Sequence, residues 1–142
     1  MPTSPIVQLL MAFAICGVVF ATWKGGLPER VGAGVVAANL ALGVIVAEAL
    51  GPYQDMLRFA NDGLSAAVLL AITLRYAAAW MGVVMLLYAA QFALHAYYIV
   101  TGRAETDYLH ALINNINFSA IVWCLIIGTA VAWRRRSLAA RA

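Results

Sequence analysis

The chain has 142 residues, 65% of them hydrophobic and 11% charged, with a formal net charge of +3. Soluble domains carry about 25% charged residues, so the composition excludes one and points to an integral membrane protein. The basic surplus is not a nucleic-acid signal, because Lys and Arg sit at the ends of apolar runs, where orientation and anionic lipid headgroups account for them.

Backbone groups in lipid must be bonded internally, which leaves helices or closed barrels. The apolar runs far exceed the ~10-residue alternating strands of a barrel. The sequence therefore predicts an all-α, polytopic membrane protein, a single domain over residues 1–142.

The first predicted span covers residues 6–22. It lacks the positive n-region of a signal peptide, so it reads as a retained span. Trp23 and Lys24 close it at the interface. A tight turn is expected over residues 25–30. There Gly25 and Gly26 allow unusual backbone angles and Pro28 fits the first turn of the next helix. Span 2 covers residues 31–50. Its Gly34 and Ala38, like Ala37 and Ala41, are small residues four apart that let a neighbouring helix approach closely. Asn39 falls near mid-depth and Glu48 near the far end.

Residues 56–101 form one long apolar stretch with a charge at Arg75. As one helix, residues 63–100 would run about 57 Å at ~1.5 Å per residue. The hydrocarbon core is only ~30 Å thick. Two passes are therefore predicted, residues 56–74 and 80–101, folded back at residues 75–79. That turn contains no Gly or Pro. The alternative is four spans, or four plus a re-entrant or interfacial helix over residues 56–74. Arg58 and Asp62 stand four apart on one face of span 3. Span 4 carries Tyr88, Gln91 and His95 at helical spacing. Span 5 covers residues 108–133, opens with His110, Asn114, Asn115 and Asn117, and is stopped by Arg134-Arg135-Arg136. The short connection makes spans 4 and 5 antiparallel neighbours, expected to be the firmest helix contact.

Five spans place Lys24, Arg30, Arg75, Arg134, Arg135, Arg136 and Arg141 on one side and only Arg58 and Arg103 on the other. Among the acids, Glu29 alone joins the basic side. By the positive-inside rule that side is cytoplasmic, with the N-terminus outside and the C-terminus inside.

The stretch Trp23-Lys24-Gly25-Gly26-Leu27-Pro28-Glu29-Arg30 resembles the W-[RK]-G-G-x-P-E-R turn of small integral membrane proteins in sphingomonads and related alphaproteobacteria. Those proteins tend to open the third span with an acid, here Asp62. They often end in Gly-Thr and a basic cluster, here Gly128-Thr129 and Arg134-Arg135-Arg136. The chain departs from them at Trp80, which precedes Met81 where they often carry Trp-Pro. The resemblance implies a multi-pass protein of a bacterial inner membrane.

Candidate chemistry gathers toward one face. Glu48, Asp62, Gln91, His95, His110, Asn114 and Asn117 all fall within two or three helical turns of the outer side. Polar groups in lipid are costly and face protein or water. Three readings follow. The groups bond helix to helix, or form a partner-contact face or water-filled pocket, or hold haem or a metal through His95 and His110. Cys16 and Cys124 read as apolar packing residues, and no Cys/His zinc spacing is present. The leading expectation is a small accessory or structural subunit. It would act through helix contacts with other membrane subunits or a second copy, using Gly34, Ala38, Asn39 and the outer polar groups. Lipid contacts are expected and no cofactor. The alternative is a haem- or metal-binding redox protein.

Overall fold

The computed structural model describes residues 4–49, 53–103 and 107–141, and the side chains of residues 47–49 lie outside the described part. These residues form five α-helices: α1 (Pro5–Lys24), α2 (Leu27–Ala49), α3 (Gln54–Tyr76), α4 (Ala79–Thr101) and α5 (Tyr108–Ala139). All five are long and apolar enough to cross a membrane. At ~1.5 Å per residue, α1 is about 30 Å long and α2, α3 and α4 about 34 Å each, close to the ~30 Å of a hydrocarbon core. Only 17% to 33% of each apolar window is buried inside the bundle. The outer surface is correspondingly apolar, with Leu9, Leu74 and Val100 more than two-thirds exposed. Monomeric soluble proteins rarely expose apolar patches this extensive.

Each helix packs on its chain neighbour, and α5 returns to α1, closing a five-membered ring. Helix α5 also touches α2 across the ring. The most extensive pairing is α3 with α4, not α4 with α5 as the short loop suggested. One cause is the intimacy of the first pair. Phe59 and Phe92 stack with centroids 4.2 Å apart. A Cβ at Gly63 would come within 2.8 Å of the Phe92 ring.

The turn between α3 and α4 falls where chain length placed it, and it is made without Gly or Pro. Ala77 adopts a left-handed conformation, φ 51°, and donates its N–H to Thr73 O at 2.8 Å. Alanine there is strained by its Cβ, and the packed α3–α4 pair holds it. Residues 56–74 lie within one continuous helix, α3.

The turn between α1 and α2 is shorter than expected, only Gly25-Gly26. Gly25 has φ −74°, an ordinary angle. Its need for glycine is space, not torsion. A Cβ would lie 2.2 Å from Ala21 O and 2.5 Å from Glu29 Cβ. Helix α5 does not stop at Arg134-Arg135-Arg136 but runs on to Ala139. Arginine is a good helix former. The charges end the apolar segment and leave the helix intact.

A cluster of buried apolar side chains occupies the half of the ring at the basic ends of the helices. It joins Ala21, Ala33, Val36, Leu69, Val84, Tyr88, Ile121 and Leu125. Trp80 seats between two glycines there. A Cβ at Gly128 would meet its indole at 2.5 Å, and one at Gly32 at 2.9 Å. This indole wedge explains why α2 and α5 meet across the ring.

The same end is fastened by Glu29. Arg136 Nη1 donates to Glu29 Oε2 at 3.0 Å, and Arg136 Nη2 to Lys24 O at 2.8 Å. Gly26 N–H donates to the same Glu29 oxygen at 2.7 Å. Lys24 Nζ lies 3.9 Å from the Trp23 ring centroid and 5.0 Å from that of Trp133. The ends of α1 and α5 are thus tied to the start of α2.

Candidate functional site

The other half of the ring is polar inside. Tyr88, Gln91, His95 and Tyr98 recur every three or four residues along α4, and all four are buried. Helical periodicity puts such residues on one face. On α5, His110, Asn117 and Ile121 share the buried face. On α3 the buried residues nearest this end are Asp62 and Ser65. Asn39 of α2 completes the set.

Two hydrogen-bonded knots form. Between α2 and α3, Asn39 Nδ2 donates to Asp62 Oδ1 and to Ser65 Oγ, both at 3.0 Å. Asn61 Nδ2 returns a bond to Asn39 O at 3.0 Å. Between α4 and α5, Asn117 Nδ2 donates to Gln91 Oε1 at 2.7 Å and to Leu87 O at 2.8 Å. Gln91 Nε2 donates to Asn114 Oδ1. Bonds of this kind stabilise a helix pair in lipid by about 0.6 kcal/mol each.

His95 joins the two knots. Its Nε2 lies 3.3 Å from Asp62 Oδ2, with 3% of the His95 side chain exposed and 10% of the Asp62 side chain. The His95 and His110 rings stand edge to face at 5.2 Å, and Tyr98 sits 4.6 Å beyond His110. Tyr98 donates its hydroxyl to Asp107 Oδ2 at 3.1 Å. Asp107 also caps α5, its Oδ1 accepting from Leu109 N–H at 3.3 Å.

These groups surround a cavity of about 570 Å³. Its polar wall includes Asn39, Arg58, Asp62, Gln91, His95, His110 and Asn114. Its apolar wall comes from Val7, Leu10 and Met11 of α1, Leu40 and Val44 of α2, and Phe118 and Ile121 of α5. Tyr88 forms the boundary with the apolar core. Its hydroxyl is buried and makes no hydrogen bond.

Most sequence-selected residues therefore meet. Asn39, Asp62, Gln91, His95, His110 and Asn114 line the cavity, and Asn117 braces Gln91 from behind. Gly34 and Ala38 do not join them. Both are exposed on the outer face of α2, and a Cβ at Gly34 would meet nothing within 4 Å. The close-approach glycines are Gly17, Gly32, Gly63 and Gly128, which receive Val122, Trp80, Phe92 and Trp80 respectively. Cys16 is exposed and Cys124 half-buried, and both are free thiols. Glu48 belongs to α2, but its side chain lies outside the described part.

Sequence reasoning passed over Arg58, Asn61, Ser65 and Asn115 as site residues, and left Tyr88 unused. Tyr88 stands three residues before Gln91 and seven before His95, so their shared face was the available signal. The Glu29–Arg136 tie was also missed. Glu29 was the one acid on the basic side, which marked it as a partner for a cation.

Among the described residues no three His, Cys, Asp or Glu side chains are grouped to hold a metal. Comparison with protein-family models, with curated proteins and with solved structures gives no match.

Proposed function

We propose that the protein is a small binding protein of a bacterial inner membrane, and that its work is done in the polar cavity. The N-terminus is taken as outside and the C-terminus as cytoplasmic, on the seven-to-two division of basic residues. The cavity then lies in the outer half of the bilayer.

One observation carries the proposal. The Tyr88 hydroxyl is buried, lacks a partner and belongs to a side chain lining a 570 Å³ cavity. Leaving a buried polar group unbonded costs about 1–3 kcal/mol. A bound molecule with a hydrogen-bonding group removes that cost. The volume falls within the ~300–1,000 Å³ of small-molecule pockets, which combine apolar walls with a few converging polar groups.

The test is release of bound small molecules from protein purified in mild detergent, followed by mass spectrometry. One species near equimolar with wild-type protein, and lost in a cavity-filling Asn114→Phe variant, supports binding. Absence of any species enriched over bulk lipid overturns it.

A second reading has its own support. Among the described residues, no helix covers the outward Gly34–Ala38 face of α2. It suits the close approach of a helix from another subunit or a second copy. An accessory subunit would then co-purify with stable partners, and Gly34→Ile would release them.

A further inference from the structure

We infer that the cavity holds the head of a bilayer amphiphile, uncharged and bearing oxygen, whose chain leaves sideways between α1 and α2. This rests on the binding role proposed above and names its ligand class.

A second depression points to the chain. It measures about 430 Å³ and lies between α1 and α2. Its walls, including Ile15, Val18, Ala37 and Ala41, are all apolar. Three residues, Met11, Leu40 and Val44, line both this groove and the polar cavity. The two spaces therefore meet at a common wall. A ligand from water would need no apolar groove opening beside its pocket. A ligand from lipid needs one, because its chain must stay in an apolar medium while its head is held.

Charge points to the head. The cavity wall carries one carboxylate, Asp62, and one guanidinium, Arg58. The formal sum of these two groups is zero. Asp62 is already met by Asn39 and His95. Arg58 also has a partner within the chain, so a fully charged head would have to displace one of these contacts or be desolvated without a compensating charge, which is costly. An alcohol or carbonyl oxygen can bond the Tyr88 hydroxyl, a buried group of the cavity lining that makes no hydrogen bond.

The test uses full-length protein in lipid nanodiscs and three photoreactive probes with the same sixteen-carbon, mid-chain-diazirine tail. Their heads are a hydroxyl, a carboxylate and a quaternary ammonium. Labelled positions are mapped by peptide mass spectrometry. The alcohol should label the α1–α2 groove, around Val18 and Ala41, on the order of tenfold more than either charged probe. Tyr88→Phe removes one hydrogen bond and should cut that labelling by roughly fivefold. Leu40→Trp, which fills the shared wall, should abolish it.

Equal labelling by all three heads, unchanged in Tyr88→Phe, would show ordinary lipid contact and overturn the inference. If purified protein nonetheless releases a stoichiometric molecule without a chain, the cavity's binding role stands and only the lipid identity falls. If it releases nothing, both fall.

Discussion

Glu29 and Arg136 are 107 positions apart in the chain and 3.0 Å apart in the fold. The carboxylate is almost fully buried, while the guanidinium is partly exposed. Three donors converge on this corner, from Gly26 and from both Nη atoms of Arg136. Arg136 therefore differs from its neighbours Arg134 and Arg135, although all three look alike in the sequence. We predict that Arg136→Gln lowers stability in detergent by about 1.5–3 kcal/mol, the usual worth of a hydrogen bond to a charged group. Arg134→Gln and Arg135→Gln should be close to neutral. Equal losses across the three variants, read from unfolding midpoints, would contradict a special role for Arg136.

Glycine substitutions separate tight from open positions. Gly25→Ala places a Cβ 2.2 Å from a backbone oxygen and should cost about 1–3 kcal/mol, as overpacking does. Gly128→Ala drives against the Trp80 indole at 2.5 Å and should cost a similar amount. Gly34→Ala meets nothing and should be neutral, or stabilising by up to ~1 kcal/mol from helix propensity. Melting curves of the three variants check the order. Destabilisation by Gly34→Ala alone would point to a partner helix seated there.

Asp62 and His95 should be energetically coupled. Removing either leaves the other buried with fewer partners. A double-mutant cycle with Asp62→Ala and His95→Ala should give an interaction of about 0.5–3 kcal/mol, the range for contacting residues. A coupling near zero would mean that the 3.3 Å approach is not maintained.

Orientation is tested by cysteine accessibility in intact cells. Thr106→Cys should be labelled by an impermeant reagent from outside. Leu27→Cys and Ser137→Cys should not. Replacing Arg134, Arg135 and Arg136 together by Gln should lower the fraction of correctly inserted chains. Each basic residue contributes ~1 kcal/mol near an anionic surface. Unchanged membrane abundance and labelling in that triple variant would remove the basic cluster from the orientation signal.

The purified protein is expected to carry no stoichiometric metal and no visible absorption band. Iron, copper or zinc lost in His95→Ala and His110→Ala would favour the redox alternative.

Span lengths and the polar face of α4 were legible from sequence because both follow from one periodicity and one thickness. The fold-back near Arg75 was legible from length alone. Its mechanism was not, since Ala77 at φ 51° carries no residue-type signal. Which small residues face a neighbour was misjudged. Gly34 and Gly32 sit two positions apart in an Ala/Gly-rich helix, and only the bulk of Trp80 from another helix decides which one is filled. The cavity was anticipated as polar groups on one side. Its enclosure depends on α1 returning to α5, a long-range closure that no local pattern encodes.

The ring is closed by α5, the fifth helix in chain order. Before α5 arrives, Glu29 lacks its guanidinium, Gly32 has Trp80 on one side but Gly128 has not been made, and α1 has no second neighbour. A chain cut short after α4 would carry a carboxylate at the α1–α2 corner without Arg136 and an open edge along α1. Such fragments should be held by chaperones or degraded, while chains that include α5 survive. Ribosome-release and pulse-chase experiments on chains ending near Arg103 and near Ala139 would show the difference as a step in lifetime. The fold thus makes the arrival of α5 and maturation of the bundle one event.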